Sequence, residues 1–168
     1  VNIHRANVMW YNPAVLEETG VEVPTNWDEF FTACDVIEAA GKVCLSMGEA
    51  WTSMHLMEVV LLGELGSDAY NGLWDGTTDW SGPEVTAALE TYSKVLERTN
   101  EDAASLTWQD ASQLVANGDA AFNIMGDWAD GYFAGDTAGG NLGLVPGDDY
   151  GWAPPPGTDG TFQFLSDS

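Results

Sequence analysis

The strongest constraint on the fold is a change of hydrophobic period. Trp27, Phe30, Phe31, Cys34 and Ile37 recur at the spacing of one helix face, and directly after Gly41 comes a short apolar stretch, Val43 to Met47, closed by Gly48. Asn26 stands where an N-cap is needed and Glu29 follows three residues later, a capping-box pattern. A helix running straight into a short buried strand is the signature of an α/β layer structure.

The rest of the chain repeats the alternation. Val1 to Tyr11 reads as a strand ending at the turn signal Asn12-Pro13, followed by a short helix. Residues 51–65 read as a helix with Met54, Met57, Leu61 and Leu65 on one side and Trp51 with His55 on another. Pro83 opens a helix whose expected stripe is Val85, Leu89, Tyr92 and Leu96, and Thr107 caps one that ends at Asn117-Gly118. Ala120 to Met125 reads as a strand leading into a helix start at Gly126-Asp127-Trp128. Tyr150 to Pro154 and Thr161 to Leu165 read as closing strands, with an aperiodic surface loop from Gly135 to Gly151 before them. The expected class is α/β, helix-rich around a small mixed sheet.

A length of 168 residues suits one domain with its own core, and no stretch approaches the roughly 20 apolar residues of a membrane-spanning helix. Neither an initiating Met nor a signal-peptide pattern begins the chain, and it stops just past an apolar alternation at Phe162 to Leu165, so a piece of a longer protein is expected. Charge narrows the partners. Asp and Glu number 27 against 4 Lys and Arg, a formal net charge of −23. Nucleic acid is excluded, because phosphate binding requires clustered cations. The acids spread along the whole length as a solvated coat. Its self-repulsion is screened when the Debye length falls to about 3 Å near 1 M salt, so a salt-adapted source is expected.

Motifs for common chemistries are missing: no GxSxG, P-loop or dinucleotide glycine pattern occurs. Cys34 and Cys44 either pair as a disulfide or remain core thiols, both open on spacing alone. No zinc site is expected from two cysteines remote from His4 and His55, and neither Asp148-Asp149 nor Asp75 with Asp79 has the spacing of a calcium loop. No cofactor is implied. The 8 tryptophans are more telling, since several adjoin polar turn residues, as in Glu49-Ala50-Trp51, Trp74-Asp75 and Gly126-Asp127-Trp128. A sugar packs its C–H face on such a ring and directs hydroxyls at the neighbouring carboxylate. That chemistry fits a sugar receptor, a glycosidase with paired carboxylates, or an aromatic protein-interaction module.

Three segments together resemble the extracellular solute-binding proteins of sugar ABC transporters, closest to the glucose/mannose-binding branch. They are Val1-Asn2-Ile3-His4-Arg5 through Trp10-Tyr11-Asn12, Pro24-Thr25-Asn26-Trp27 through Phe30, and Asn117-Gly118-Asp119 through Asn123-Ile124-Met125-Gly126-Asp127-Trp128. Asn26 departs from the family's usual Thr, but either residue caps a helix. The resemblance implies one lobe of a two-lobed periplasmic-binding-protein-like (type II) fold, residues 1–168, with 1–12 and 162–168 as hinge-proximal strands. It implies a non-enzymatic, monomeric, extracytoplasmic receptor that takes a glucose- or mannose-like monosaccharide to a membrane ABC permease. Residue by residue, it implies Trp128 as the sugar-stacking ring and Asp127 as a hydroxyl acceptor. Glu49 and Trp51 would form a carboxylate and aromatic pair, with His55 and His4 as further polar contacts. No catalytic residue and no metal ligand is implied.

Overall fold

The computed structural model describes residues 3–157 and 164–167, with side chains over 5–157. Its sheet has the order β2-β3-β1-β4 with β5 added to β1, where β1 is Ile3–Tyr11, β2 Val43–Ser46, β3 Ala120–Gly126, β4 Gly151–Ala153 and β5 Phe164–Asp167. β2 and β3 are parallel, whereas β1 runs antiparallel to β3, β4 and β5, so the sheet is mixed as expected. The long β1 serves three partners: its first half pairs with β5 (Ala6 opposite Phe164), and its second half pairs with β3 (Asn7 opposite Gly126) and, over its last residues, with β4 (Trp10 opposite Trp152). Of the closing strand expected at Thr161 to Leu165, residues 161–163 lie outside the described residues.

Helices cover both faces. α1 is Pro13–Thr19, α2 Trp27–Ala39, α3 Thr52–Asp75, α4 Pro83–Leu96, α5 Trp108–Ala116 and α6 Asp130–Ala134. Every residue of β3 is buried, which is why its sequence reads as a nearly continuous apolar run rather than an alternation. Alternate residues of β1 divide between two cores. Ala6, Val8 and Trp10 meet Phe133 and Tyr150 on one side, while Met9 joins Phe30, Ile37, Val59 and Phe122 on the other. A third cluster, Leu61, Leu62, Tyr70, Leu73, Val85 and Ala88, clamps α3 to α4.

Trp27 is 8% exposed, edge-on to Phe30 at 5.6 Å, as the helix pattern predicts. Asn26 caps α2 by accepting from the Glu29 amide, but the Glu29 carboxylate reaches past Asn26 to the amide and hydroxyl of Thr25. Cys34 and Cys44 form a disulfide, tying α2 to β2 inside the core. Two helix faces differ from the sequence expectation. α3 continues past residue 65 through a break at Gly66, where φ is 73°, and it buries Leu56, Val59 and Val60 while Met54 is exposed. In α4 the buried stripe is Val85, Ala88 and Val95, with Leu89 exposed, because the face is set by where α3 lies.

Candidate functional site: an aromatic shelf

Parallel β2 and β3 end at the same edge of the sheet, and the chain leaving each carries site residues. β3 ends at Gly126 and passes to Asp127 and Trp128, while β2 ends at Ser46 and passes through Gly48 to Glu49 and Trp51. Because α5 runs back to the start of β3, its first residue, Trp108, arrives at the same edge. Ligand sites of open α/β sheets form outside the carboxyl ends of strands for this reason.

Polar groups fix that edge. Asn123 of β3 donates to the Ser46 carbonyl at 2.9 Å, and Ser46 Oγ donates to the carbonyls of Ala111 and Phe122. Gly48 has no room for a side chain: a Cβ there would lie 2.4 Å from the Thr107 carbonyl oxygen. The absence of that carbon lets the Glu49 amide donate to the Leu106 carbonyl at 2.9 Å, joining the two loops that carry Trp51 and Trp108. Thr107 caps α5 in a reciprocal capping box with Asp110, whose carboxyl the Thr107 hydroxyl and amide hold below its ordinary pKa.

On this base lies an aromatic shelf. Trp51 and Trp128 are both 41% exposed, with ring centroids 6.1 Å apart and a 36° tilt. His55, one helical turn after Trp51, is buried and edge-on to both rings, at 5.4 Å from Trp51 and 6.3 Å from Trp128. Glu49 Oε2 accepts a 2.7 Å hydrogen bond from Trp51 Nε1, which orients the indole. Trp128 is seated on bare backbone, since a Cβ on Gly126 would fall 2.2 Å from its Nε1. Asp127 is partly buried and starts a short 3-10 turn capped by Gly126, so its side chain is not the cap.

Trp128, Asp127, Glu49, Trp51 and His55 therefore converge from segments nearly 80 positions apart. His4 lies on β1 opposite Ser166, three residues before Asn7, the strand partner of Gly126; its side chain is outside the described residues. Below the shelf, Arg5 forms a double hydrogen bond to Glu58 at 2.7 and 2.8 Å, and Asn7 donates to Glu58 Oε2 and to the His55 carbonyl. Sequence reading missed two rings. Trp108 meets Trp128 edge-on at 4.7 Å, and Tyr132 meets Trp108 at 5.3 Å. With Thr107, Gln109, Asn141 and the Gly139-Gly140 turn they line a groove of about 670 Å³ beside Trp128. Among the described residues no cluster of potential metal ligands occurs. Asp75 and Asp79 instead accept from Thr77 and Ser81 within local turns.

The structure is thus a helix-covered mixed α/β sheet with an open aromatic shelf at the carboxyl edge of β2 and β3. The chain belongs to the bacterial extracellular solute-binding protein family, whose model matches residues 1–162. It is 33% identical over 170 residues, 99% of its length, to a probable sugar-binding periplasmic protein of Brucella suis, covering 39% of that protein. It is 29% identical over 174 residues, all of its length, to a xylose/arabinose-binding protein of Haloferax volcanii, covering 36% of that protein. A bacterial solute receptor described as having an exclusive preference for β-D-galactopyranose matches 91% of the chain at a TM-score of 0.75 and 24% identity, over 37% of the receptor; this likeness speaks for the fold. The chain thus spans under two fifths of the length of these relatives.

Proposed function

We propose that this chain is one lobe of an extracytoplasmic sugar receptor that delivers its ligand to an ABC permease. The observation that carries the reading is the Trp51–Trp128 shelf at the carboxyl edge of β2 and β3, flanked by Glu49 and Asp127. One sugar ring stacks on the exposed indoles. Its hydroxyls donate to Asp127 and to Glu49 Oε1, the oxygen not used by Trp51. His55 supports the two rings from the buried side, and His4 of β1 is assigned as a further polar contact. The names of the Brucella and Haloferax relatives support a sugar as ligand, and the glucose/mannose-branch motifs support a hexose of that class. The Cys34–Cys44 disulfide suits an oxidising compartment outside the cytoplasm. The antiparallel pair of β1 with β5 suits a hinge in which residues 1–12 and 162–168 cross to a second lobe and return.

Isothermal titration of the two-lobed protein with a panel of pentoses and hexoses tests this reading. Saturable binding of one sugar, lost in Trp128→Ala, is the expected result; no binding to any sugar refutes it. A glycosidase would instead turn over aryl glycosides, with activity abolished on changing a single carboxylate.

A further inference from the structure

Alternate residues of β1 face α3, and their chemistry changes along the strand. Met9 joins the apolar core with Val59, whereas Asn7 and Arg5 meet polar partners on α3. On that helix Trp51, His55 and Glu58 stand at i, i+4 and i+7, a single face running away from the shelf. Arg5 Nη2 donates to both Glu58 oxygens, Asn7 Nδ2 donates to Glu58 Oε2 at 3.1 Å, and the Arg5 and Glu58 side chains are only 21% and 15% exposed. Stability alone does not call for charge here, since an apolar pair in place of a mostly buried ion pair is often neutral or stabilising. What apolar packing lacks is direction, which charge-assisted hydrogen bonds supply. The N-cap position of α3, Trp51, carries no side-chain cap bond, and a directional hold on this end of the helix comes from β1 instead.

Asn7 links the two halves of the shelf. Its strand partner is Gly126, on which the Trp128 ring rests, and its side-chain amide donates to the His55 carbonyl at 3.3 Å. The His55 ring in turn meets both indoles edge-on. Trp128 follows β3, which is laddered to β1, while Trp51 stands at the start of α3. A slide of α3 along β1 by about 1 Å would therefore move one ring and leave the other, enough to spoil a stacking site. We propose that Arg5, Asn7 and Glu58 are positioning residues of the sugar site: they fix the register of α3 on β1 and so set Trp51 against Trp128. The inference rests on the sugar-receptor reading and adds to it the residues that hold the shelf in shape without touching the ligand.

The test uses the two-lobed protein, titrated with glucose, mannose, galactose, xylose and arabinose, with each indole N–H resonance assigned from a Trp→Phe variant. Arg5→Met combined with Glu58→Leu removes both charges and keeps the bulk, so the melting temperature is expected to stay within about 3 °C of wild type. Affinity for the sugar that binds is expected to fall about tenfold. In the sugar-free protein the Trp51 resonance is expected to move while that of Trp27, a core ring of α2, stays. Asn7→Ala should weaken binding similarly, and adding it to the double substitution should cost little more, the non-additivity of residues acting as one unit. Arg98→Met, which breaks the exposed contacts to Asp35 and Glu38 on α2, is expected to keep wild-type affinity. If the double variant does not fold, Glu58→Gln, which keeps an acceptor for Asn7, carries the same two readouts. Wild-type affinity with an unmoved Trp51 resonance, or effects of Asn7→Ala and the double substitution that simply add, overturns the proposal and leaves the receptor reading intact. Failure of the wild type to bind any of these sugars overturns the receptor reading, and the hold on α3 is then decided by the Trp51 resonance alone.

Discussion

Gly126→Ala is the sharpest probe of the shelf, because it displaces Trp128 without altering it. The backbone at Gly126 has φ −62° and ψ 154°, open to any residue, so alanine adds no strain of its own. Its Cβ, however, would stand 2.2 Å from Trp128 Nε1, where ordinary contact begins near 3.4 Å, so the indole must retreat by about 1.2 Å. That movement loosens the edge contact with Trp108 and the tilted contact with Trp51. Each such pair is worth about 0.5–1.5 kcal/mol when well packed. With the ring 41% exposed, a combined loss near 1 kcal/mol is expected, lowering the midpoint of thermal unfolding by about 2–4 °C. Sugar affinity should fall about tenfold or more, since a stacking surface misplaced by this much loses on the order of 1.4 kcal/mol. Gly131→Ala is the matched control. Gly131 lies exposed on α6 with nothing within 4 Å of a new Cβ, and alanine there should gain about 0.5–1 kcal/mol from helix propensity. Circular dichroism melts and tryptophan fluorescence titrations of both variants decide the matter. If Gly126→Ala keeps wild-type affinity and an unshifted Trp128 resonance, the ring does not rest on that glycine and the shelf geometry is refuted.

Further outcomes follow from other contacts. Reducing the Cys34–Cys44 bond, which spans 10 residues, should cost about 3 kcal/mol by loop entropy and lower the melting temperature by about 6–12 °C; identical melts with and without reductant would show that the bond does not form. Trp27→Ala should cost about 3–5 kcal/mol because that ring is core, whereas Trp128→Ala should cost under about 1.5 kcal/mol, both read from urea unfolding. The Asp110 cap has a folded pKa depressed below 3.8. Its contribution is therefore complete above that value and is lost as pH falls through the folded value, so the Trp108 resonance should shift below about pH 3.8 and lose that dependence in Asp110→Asn. Raising sodium chloride from about 0.1 M towards 1 M should raise the melting temperature, and a flat response would contradict self-repulsion among the 27 acids.

What could be read from the sequence follows the range of the forces involved. Caps and local periods are decided within a turn, so α2, α5, β2 and β3 are legible at Asn26, Thr107 and the glycine boundaries. Beyond Gly66 the helical pattern restarts with Tyr70 and Leu73, which face α4 rather than the sheet, so no single stripe runs through α3. Met54 and Leu56 are equally apolar on paper, and only the position of the sheet chooses between them. Asn26-Trp27 and Thr107-Trp108 present the same local signal, a cap followed by tryptophan. The first ring is buried against Phe30, and the second opens onto the groove, because α2 packs over the sheet while α5 delivers its first residue to the sheet edge. The disulfide was undecidable for the same reason: a Cα separation of 5.0 Å is a tertiary fact.

The scarcity of cations has a practical use. Arg5 is locked to Glu58, Arg98 forks between Asp35 and Glu38, and Lys42 donates to the Gly118 carbonyl beside Glu18. Lys94 stands exposed in the last turn of α4, a helix that contributes nothing to the shelf or the groove. Apart from the terminal amine, an amine-reactive dye should therefore attach to Lys94 well before Lys42. Within this chain Lys94 is thus the more accessible lysine for tethering to a sensor surface, on a helix that leaves the aromatic shelf unmodified.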